Sequence, residues 1–384
     1  MAAGYSTRLP SRWAYRKFSA GRGPPAALAG RNPRYDPVMR VGVILSHGGL
    51  AGLWTPGCQG AALIAAEEIN ASGGVLGQEV RIILRDSGET SESAKAAAEG
   101  LLMDDRVDAV IGLQASHLRS AVRDGLHGLA PYVYTPQYEG GYCGAGVATL
   151  GVTDHEVLRP AIDWLAEHRG ARRVFFVGND YIWPRVAYGT AESAVRRVGG
   201  QMIGHVLLPL NTREYGEVIQ ALKSARPHLV VMALLGEDAV AFNRAFAEAG
   251  LAASVLRLTL AFEETQLLGV APENAENLFA AASYFNGTID HDREALLEGY
   301  THAFAGRLPN VTTNSLNCYD AIHLVAGLAR HVGHVDGHLM ARFLRQRMPR
   351  NLAYQIMGRS EISARVALAE ADGTEFLVRQ RWDA

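Results

Sequence analysis

Aromatic, hydroxyl and amide side chains are concentrated in two segments, residues 134–140 (YTPQYEG) and 179–185 (NDYIWPR), each just beyond a predicted β-strand. In open α/β sheets, ligands bind at the carboxyl ends of the strands. Rings and uncharged polar groups hold a small molecule by stacking and hydrogen bonding, but they do not supply an activated nucleophile. The two segments therefore predict a site that binds a small polar molecule without transforming it.

The candidate ligand-binding residues share a position at or just after the end of a predicted strand. They are Gln114, Ser116, Tyr134, Thr135, Pro136, Tyr138, Tyr181, Trp183, Leu235, Thr259 and Tyr284. Their hydroxyls, amide and rings favour a neutral ligand, because a buried charge would need a counter-charge and none stands out among them. No catalytic residue, metal ion or cofactor is expected at this site.

Two other functions were considered for the loops after the strands. The glycine-rich segment 48–52 (GGLAG) lacks the G-x-G-x-x-G spacing, and Pro56 and other residues precede the next predicted helix, which argues against dinucleotide binding. No G-x-S-x-G occurs in the chain, so the sequence neighbours Ser116 and His117 do not indicate an esterase.

Histidines and paired glutamates are the remaining groups that could do chemistry. His331, His334 and His338 are separated by glycines that interrupt a helix, so we interpret them as a polar helix–loop junction and not as a metal site. Glu263 and Glu264 follow a predicted strand and could act as an acid–base pair. We interpret them as the solvated start of a helix, where negative charge is stabilising.

The elements that must position these residues alternate along the chain. Short apolar and β-branched runs predict strands at 40–46, 79–86, 108–113, 132–135, 173–178, 202–208, 229–235, 256–260 and 278–284. Amphipathic stretches predict helices at 58–72, 91–103, 156–169, 185–198, 213–226 and 238–249. This alternation is typical of an α/β fold with mostly parallel sheets, and a break near 151–154 favours two doubly wound lobes. A long helical region, 293–345, precedes a β-hairpin of 362–370 and 374–381.

Composition narrows the class of protein. The chain has 384 residues, 48% of them apolar, and a formal net charge of −2, so two domains are expected and direct nucleic-acid binding is not. Cys58, Cys143 and Cys318 are widely separated and are expected to be isolated thiols, with a disulfide between one pair as the alternative.

The first 35 residues are basic and contain no acidic residue. We expect residues 1–38 to be a disordered basic extension, with Met39 as an alternative start. The proline-interrupted run at 24–30 is too short for a secretory signal, so a cytoplasmic location is expected. A poor export signal, which would mean a periplasmic location, is the alternative.

Four motifs together resemble the type I periplasmic-binding-protein superfamily: DYI-x-PR at 180–185, YEG at 138–140, SH-x-R-x-AV at 116–122, and EIN at 68–70 followed by Gly73 and Gly74. The resemblance is to the leucine-binding-like branch, which includes the amide-binding negative regulator of the amidase operon and urea-binding transport proteins. It runs from about Arg40 to Trp382.

The resemblance implies two Rossmann-like lobes joined by a three-crossover hinge that closes on a ligand. The N-terminal lobe would comprise 39–153 and 287–350, and the C-terminal lobe 154–286 and 351–384. Ligand contacts carried over by position are Ser116, Tyr134 and Tyr181.

The function expected from these observations is that of a non-enzymatic sensor for a small neutral solute such as a short-chain amide or urea. Its partner would be a regulatory protein of the antiterminator kind. The alternative is the periplasmic solute-binding component of an ABC importer, with a permease as partner. A third hypothesis is a small-amide hydrolase. Glu263, Glu264 or Asp238 could meet the α-ammonium group of an amino-acid ligand. A homo-oligomeric state is left open.

Overall fold

The first lobe is built on a parallel sheet of five strands in the order β2-β1-β3-β4-β5. The computed structural model describes residues 38–286, 294–304, 311–346, 348–358 and 365–383, so the predicted basic extension lies outside the described residues except for Val38. The strands are β1 Val38–Leu45, β2 Glu79–Asp86, β3 Ala109–Leu113, β4 Tyr132–Tyr134 and β5 Val147–Thr149. The helices that follow the first three strands are α1 Thr55–Ala71, α2 Ser91–Met103 and α3 Ser116–Gly125.

The second lobe contains a seven-stranded sheet in the order β12-β11-β10-β9-β8-β6-β7. Its parallel strands are β6 Arg173–Asn179, β7 Gln201–Leu208, β8 Leu229–Ala233, β9 Leu256–Thr259 and β10 Leu278–Ala282. The chain ends in the predicted antiparallel hairpin, β11 Arg365–Asp372 and β12 Glu375–Asp383, which pairs with β10. The helices of this lobe are α4 Asp154–His168, α5 Ile182–Arg197, α6 Gly216–Ala225, α7 Gly236–Glu248 and α8 Glu264–Val270.

The helices after β10 return to the first lobe. They are α9 Glu294–Phe304, α10 Thr313–Val332, α11 Gly337–Phe343 and α12 Arg350–Ile356. Helices α9 and α10 pack on α1, and α10 also contacts β3. The chain therefore crosses between the lobes three times, as the resemblance implied: before α4, after β10 and before β11. The exact lobe boundaries stay a prediction.

Burial explains why the central strands could be recognised in the sequence. Every residue of β3 and of β8 is buried, as expected for parallel strands covered by helices on both faces. The largest apolar core runs from β1 and α1 through α4 into the second lobe, and a separate core fills one side of the second sheet. The strand ends are thus held on rigid scaffolds.

Local signals set the ends of the helices next to the crossovers. The Thr153 hydroxyl accepts the Glu156 backbone N–H, and the Glu156 carboxylate accepts the Thr153 N–H at 2.6 Å, which is a capping box at the start of α4. Gly333, with φ of 77°, ends α10 in a left-handed cap. The region 293–345, which was predicted as one long helical region, therefore contains the separate helices α9, α10 and α11.

Three expectations about local structure were wrong. Helix α3 was not predicted, although Leu118, Ala121 and Val122 are buried at helical spacing. The segment after β6 is not a loop, because α5 begins at Ile182 and includes Trp183. Strand β5 was also missed, since three residues give almost no periodicity.

Candidate functional site

The carboxyl ends of strands from both lobes face each other across a cavity of about 50 Å³. This volume is small beside the roughly 300–1,000 Å³ of drug-sized sites. Seven of the predicted site residues line it: Gln114, Ser116, Tyr134, Pro136, Tyr181, Trp183 and Leu235. The structure thus brings residues that are more than 100 positions apart in the sequence together around one cavity.

The other four predicted site residues, Thr135, Tyr138, Thr259 and Tyr284, are not among the residues that line the cavity. The Thr135 hydroxyl donates to a carbonyl of β3, and the Tyr138 hydroxyl accepts a hydrogen bond from a threonine of β5. The backbone N–H of Tyr284 donates to Thr313 Oγ1 at 3.1 Å, and Thr313 does line the cavity. These residues support the cavity from behind or lie beside it.

Gln114 lines the cavity, but its amide is already occupied by the protein. Its Nε2 donates to the Ile44 carbonyl at 2.6 Å, and its Oε1 accepts from the Tyr132 hydroxyl at 2.7 Å. The Tyr134 hydroxyl in turn donates to the Gln114 carbonyl at 2.8 Å. Gln114 therefore fixes the wall and has little hydrogen-bonding capacity left for a ligand.

Ser116 presents an unused hydroxyl to the cavity. It is the first residue of α3, and its Oγ is buried with no hydrogen-bond partner among the described residues. A helix N-terminus exposes backbone N–H groups and carries partial positive charge. This corner of the cavity can therefore hold an oxygen or a carboxylate.

Glu263 supplies the cavity with a carboxylate that sequence reasoning placed in solvent. Its side chain is buried, as is that of Glu264, so the expectation of a solvated helix start was wrong for both. Glu263 Oε1 accepts the Asn314 N–H at 3.0 Å, whereas Oε2 is buried with no partner in the described part of the chain. Burial without a counter-charge raises the pKa of Glu263 to about 7.

Arg119 is a cation near the cavity, but its guanidinium already interacts with other side chains of the protein. The Arg119 guanidinium lies 4.9 Å from the centre of the Tyr134 ring and pairs with the Glu139 carboxylate. Across the described lining residues there is no Arg, Lys or His to balance Glu263. The cavity therefore has one negative group, and its positive potential comes from the N-termini of α3, α5, α7 and α10, whose first residues or caps line it.

Aromatic rings close the cavity from the second lobe. The Tyr181 ring lies 5.3 Å from the His117 ring of the first lobe in an edge-on contact, and 6.1 Å from the Trp183 ring. Because Tyr181 precedes α5 while His117 belongs to α3, this contact exists only when the lobes are close together.

Several lining residues were missed by sequence reasoning. They are Ala51, Trp54, Leu113, Ala115, Gln137, Ala261, Phe262, Ala282, Thr313 and Asn314. Glu263 also lines the cavity, and the sequence named it only as one of three acids that could meet an α-ammonium group. Many of the missed residues also follow strands, as Ala261 and Phe262 follow β9, and that position was the available signal. Thr313 and Asn314 begin a helix, so the strand-end rule could not find them.

The arrangement is suited to binding and lacks the parts needed for nucleophilic catalysis. No histidine or cysteine stands beside the Ser116 hydroxyl in the described lining. Within the described ranges, no cluster of three or more His, Cys, Asp or Glu side chains could hold a metal ion. What the cavity offers is a buried acid, a hydroxyl and ring faces.

With the fold and the cavity in view, similarity to known proteins becomes informative. A family model described as "Periplasmic binding protein" matches residues 38–369. The chain belongs to this family. The narrower resemblance to amide- and urea-binding members remains a prediction.

Curated relatives match only part of the chain. A Leu/Ile/Val-binding protein homolog 6 from Brucella melitensis is 23% identical over 189 residues, which are 48% of this chain and 47% of that protein. The homologue from Brucella suis is 24% identical over 190 residues, with the same coverage. The match spans about half the length of these relatives.

Solved structures agree in fold along most of the chain. A leucine-binding protein from Thermotoga maritima has 17% identity and a TM-score of 0.76, covering 90% of this chain and 99% of that one. A branched-chain amino acid transporter substrate-binding protein from Streptococcus pneumoniae in complex with isoleucine has 17% identity and a TM-score of 0.71, covering 90% and 99%. A solute-binding protein from Rhodopseudomonas palustris HaA2 in complex with p-hydroxybenzoic acid has 19% identity and a TM-score of 0.75, covering 90% and 97%.

Among the described helices, none combines the length and the apolar character needed to span a bilayer.

Proposed function

We propose that this chain is the solute-binding component of an ATP-driven importer and that its cavity holds a small solute bearing an ammonium group. The ligand class is that of the α-amino acids. The observation that carries this proposal is the unpaired Oε2 of Glu263, buried in the cavity between the lobes. The importer part rests on the family and on the transporter components named among its similar structures.

A buried carboxylate without a counter-charge is costly, and a ligand ammonium group would remove that cost. Burying an ion without a counter-charge costs several kcal/mol in practice, and hydrogen bonds to charged groups contribute about 1.5–3 kcal/mol. The Ser116 hydroxyl and the N-terminus of α3 would receive the ligand carboxylate. The ammonium group of a zwitterionic ligand would thus contact Glu263, and its carboxylate would contact the N-terminus of α3.

The same charges disfavour a ligand that carries only a carboxylate. The relative from Rhodopseudomonas palustris is in complex with p-hydroxybenzoic acid, an aromatic carboxylic acid. Here a bare carboxylate would share the cavity with Glu263, and no described lining residue is cationic. When Glu263 is ionised, repulsion between the two carboxylates would oppose stacking on Tyr181 and Trp183.

Binding would act through closure of the lobes. Contacts such as Tyr181 with His117 join the two lobes, so a ligand that touches both raises the population of the closed form. The importer's permease would recognise that form. Such a component works outside the cytoplasm, and we propose this location in place of the cytoplasmic one expected from the sequence.

A second candidate keeps the original expectation of a neutral amide or urea and a sensor role with a regulatory partner. It is favoured by the pKa of Glu263, which at about 7 allows the protonated acid to donate a hydrogen bond to a carbonyl oxygen. The two candidates make opposite predictions about pH. An ammonium ligand needs ionised Glu263, whereas a neutral amide is best served by protonated Glu263.

A ligand screen followed by titration at two pH values tests both candidates. Thermal shifts are recorded with α-amino acids, short-chain amides, urea and hydroxybenzoates, and hits are titrated by calorimetry. We expect an amino acid to bind more tightly at about pH 8 than at about pH 6. Tighter binding of an amide at the lower pH would favour the sensor, and no binding by any solute would contradict both. Recovery of a chemically altered ligand would instead support a hydrolase.

A further inference from the structure

A second cavity, of about 150 Å³, adjoins the first. Three residues, Ala51, Ala115 and Leu235, line both cavities. Two of these are alanines, so little side-chain bulk separates the two spaces. The first cavity, at about 50 Å³, has no room for a long side chain beyond the ligand head.

Both lobes contribute to the second cavity. The first lobe provides Glu89 and His117, and the second lobe provides Leu210 and Asn211. The Asn211 backbone is held in place, because its N–H donates to Asp238 Oδ2 at 3.0 Å. A ligand group in this cavity would therefore contact both lobes and favour the closed form.

Two polar side chains of the second cavity, Glu89 and His117, offer hydrogen-bond acceptors, beside the Ser46 hydroxyl and the Asn211 amide. His117 Nδ1 is buried and has no partner among the described residues. Burial lowers the pKa of His117, which keeps the ring neutral and able to accept a hydrogen bond. The Glu89 carboxylate forms no ion pair within the described residues, and it lies against Gly49, where an added Cβ would be 1.7 Å from its Oε1. Two acceptors, one of them anionic, suit an N–H donor with positive charge.

We propose that the second cavity is a subsite for an amine at the far end of the ligand side chain. This inference rests on the proposed amino-acid function and narrows it to amino acids with a terminal amine, in contrast to the aliphatic ligands named for similar structures. Glu263 would hold the α-ammonium group, and Glu89 with His117 would hold the distal one. An aliphatic side chain of equal length would offer no donor to Glu89 and would leave the buried His117 Nδ1 without a partner.

Ornithine and norvaline form a matched ligand pair, because both carry the same three-carbon chain and only ornithine ends in an amine. Calorimetry would compare the wild-type protein with Glu89→Gln and with the control Glu92→Gln. Glu92 is exposed on α2, so the control makes the same charge change away from the cavity. Both substitutions are at exposed positions, and circular dichroism would verify folding.

We expect ornithine to bind the wild-type protein and Glu92→Gln at least tenfold more tightly than norvaline, and Glu89→Gln to abolish that preference. Norvaline affinity should change less than about threefold in Glu89→Gln. Norvaline binding as tightly as ornithine, or a preference that survives Glu89→Gln, would overturn the subsite while leaving the proposed function standing. Failure of every α-amino acid to bind would overturn both.

Discussion

Trp183 donates its Nε1–H to Asp154 Oδ1 across 2.9 Å, and the same oxygen accepts a hydrogen bond of 2.9 Å from Gln137 Nε2. Trp183 and Gln137 both line the interlobe cavity, whereas Asp154 is fully buried behind them at the start of α4. Because Gln137 follows β4 and Trp183 lies in α5, one carboxylate oxygen positions cavity walls from both lobes. Asp154 Oδ2 has no partner among the described residues, so this link rests on a single oxygen.

Replacing Asp154 separates its role as an acceptor from its charge. Asp154→Ala should weaken ligand binding about five- to thirtyfold, since Trp183 and Gln137 lose their acceptor and the walls lose their fixed positions. Asp154→Asn retains Oδ1 and should stay within about threefold of wild type. Calorimetry with the best ligand measures both, and equal affinity of Asp154→Ala and wild type would show that the link does not shape the cavity.

Stability should fall as the pH rises from about 4 to 7. Burial raises the pKa of Asp154 and that of Glu263 to about 7, from ordinary values of 3.8 and 4.5. Between these limits Asp154 and Glu263 keep protons in the folded protein that they have released in the unfolded chain, so their contribution to the free energy of unfolding decreases with pH and levels off above 7.

Urea unfolding of the ligand-free protein at several pH values would measure this effect. Asp154→Asn and Glu263→Gln should each flatten the decrease, because an amide has no proton to retain. A wild-type profile that differs from those of both variants by a constant amount at every pH would contradict the raised pKa values.

Tyr181 should contribute mainly through its ring. Tyr181→Ala removes the edge-on contact with His117 and a face of the cavity, so we expect affinity to weaken by about 1–3 kcal/mol without loss of the fold. Tyr181→Phe keeps the ring and serves as the control, with affinity expected within about fivefold of wild type. Calorimetry showing unchanged affinity in Tyr181→Ala would remove this residue from the site.

Gly236 should limit how closely the lobes approach. An added Cβ at Gly236 would lie 1.7 Å from the Leu50 carbonyl oxygen of the first lobe, and φ is 42°. Gly236→Ala should therefore hinder closure and weaken binding at least tenfold. Gly250 is the matched control, because its φ is 75° and nothing lies within 4 Å of its added Cβ. Gly250→Ala should cost about 1 kcal/mol of stability with no loss of affinity.

Small-angle scattering provides the readout for closure. The wild-type protein and Gly250→Ala should contract on addition of ligand, and Gly236→Ala should contract less. Equal contraction in all three proteins would contradict this prediction, because it would show that the close approach of Gly236 to Leu50 does not limit closure of the lobes.

The parallel strands and the two-lobed architecture could be predicted from the sequence because fully buried strands such as β8 are unbroken apolar runs. The position of Tyr181 and Trp183 at the site followed from the strand-end rule. Helix α5 was predicted from residue 185, but its first turn was missed because Pro184 resembled a loop signal.

The charge of the site could not be predicted in the same way. Whether Glu263 is solvated or buried depends on Asn314 and the start of α10, which arrive from a distant part of the chain. Gln114 was expected to meet a ligand, yet its amide is taken by Ile44 and Tyr132. Both outcomes are set by tertiary contacts that leave no local pattern in the sequence.

The most direct test of the account is the affinity of the best amino-acid ligand for Glu263→Gln, measured by calorimetry at about pH 8. Glu273→Gln, at an exposed position outside the cavity, is the control. We expect Glu263→Gln to remain folded and to lose about 1.5–3 kcal/mol of binding free energy, while the control binds like wild type. Wild-type affinity in Glu263→Gln would contradict the central claim that a buried carboxylate with one oxygen free recognises the ligand's ammonium group.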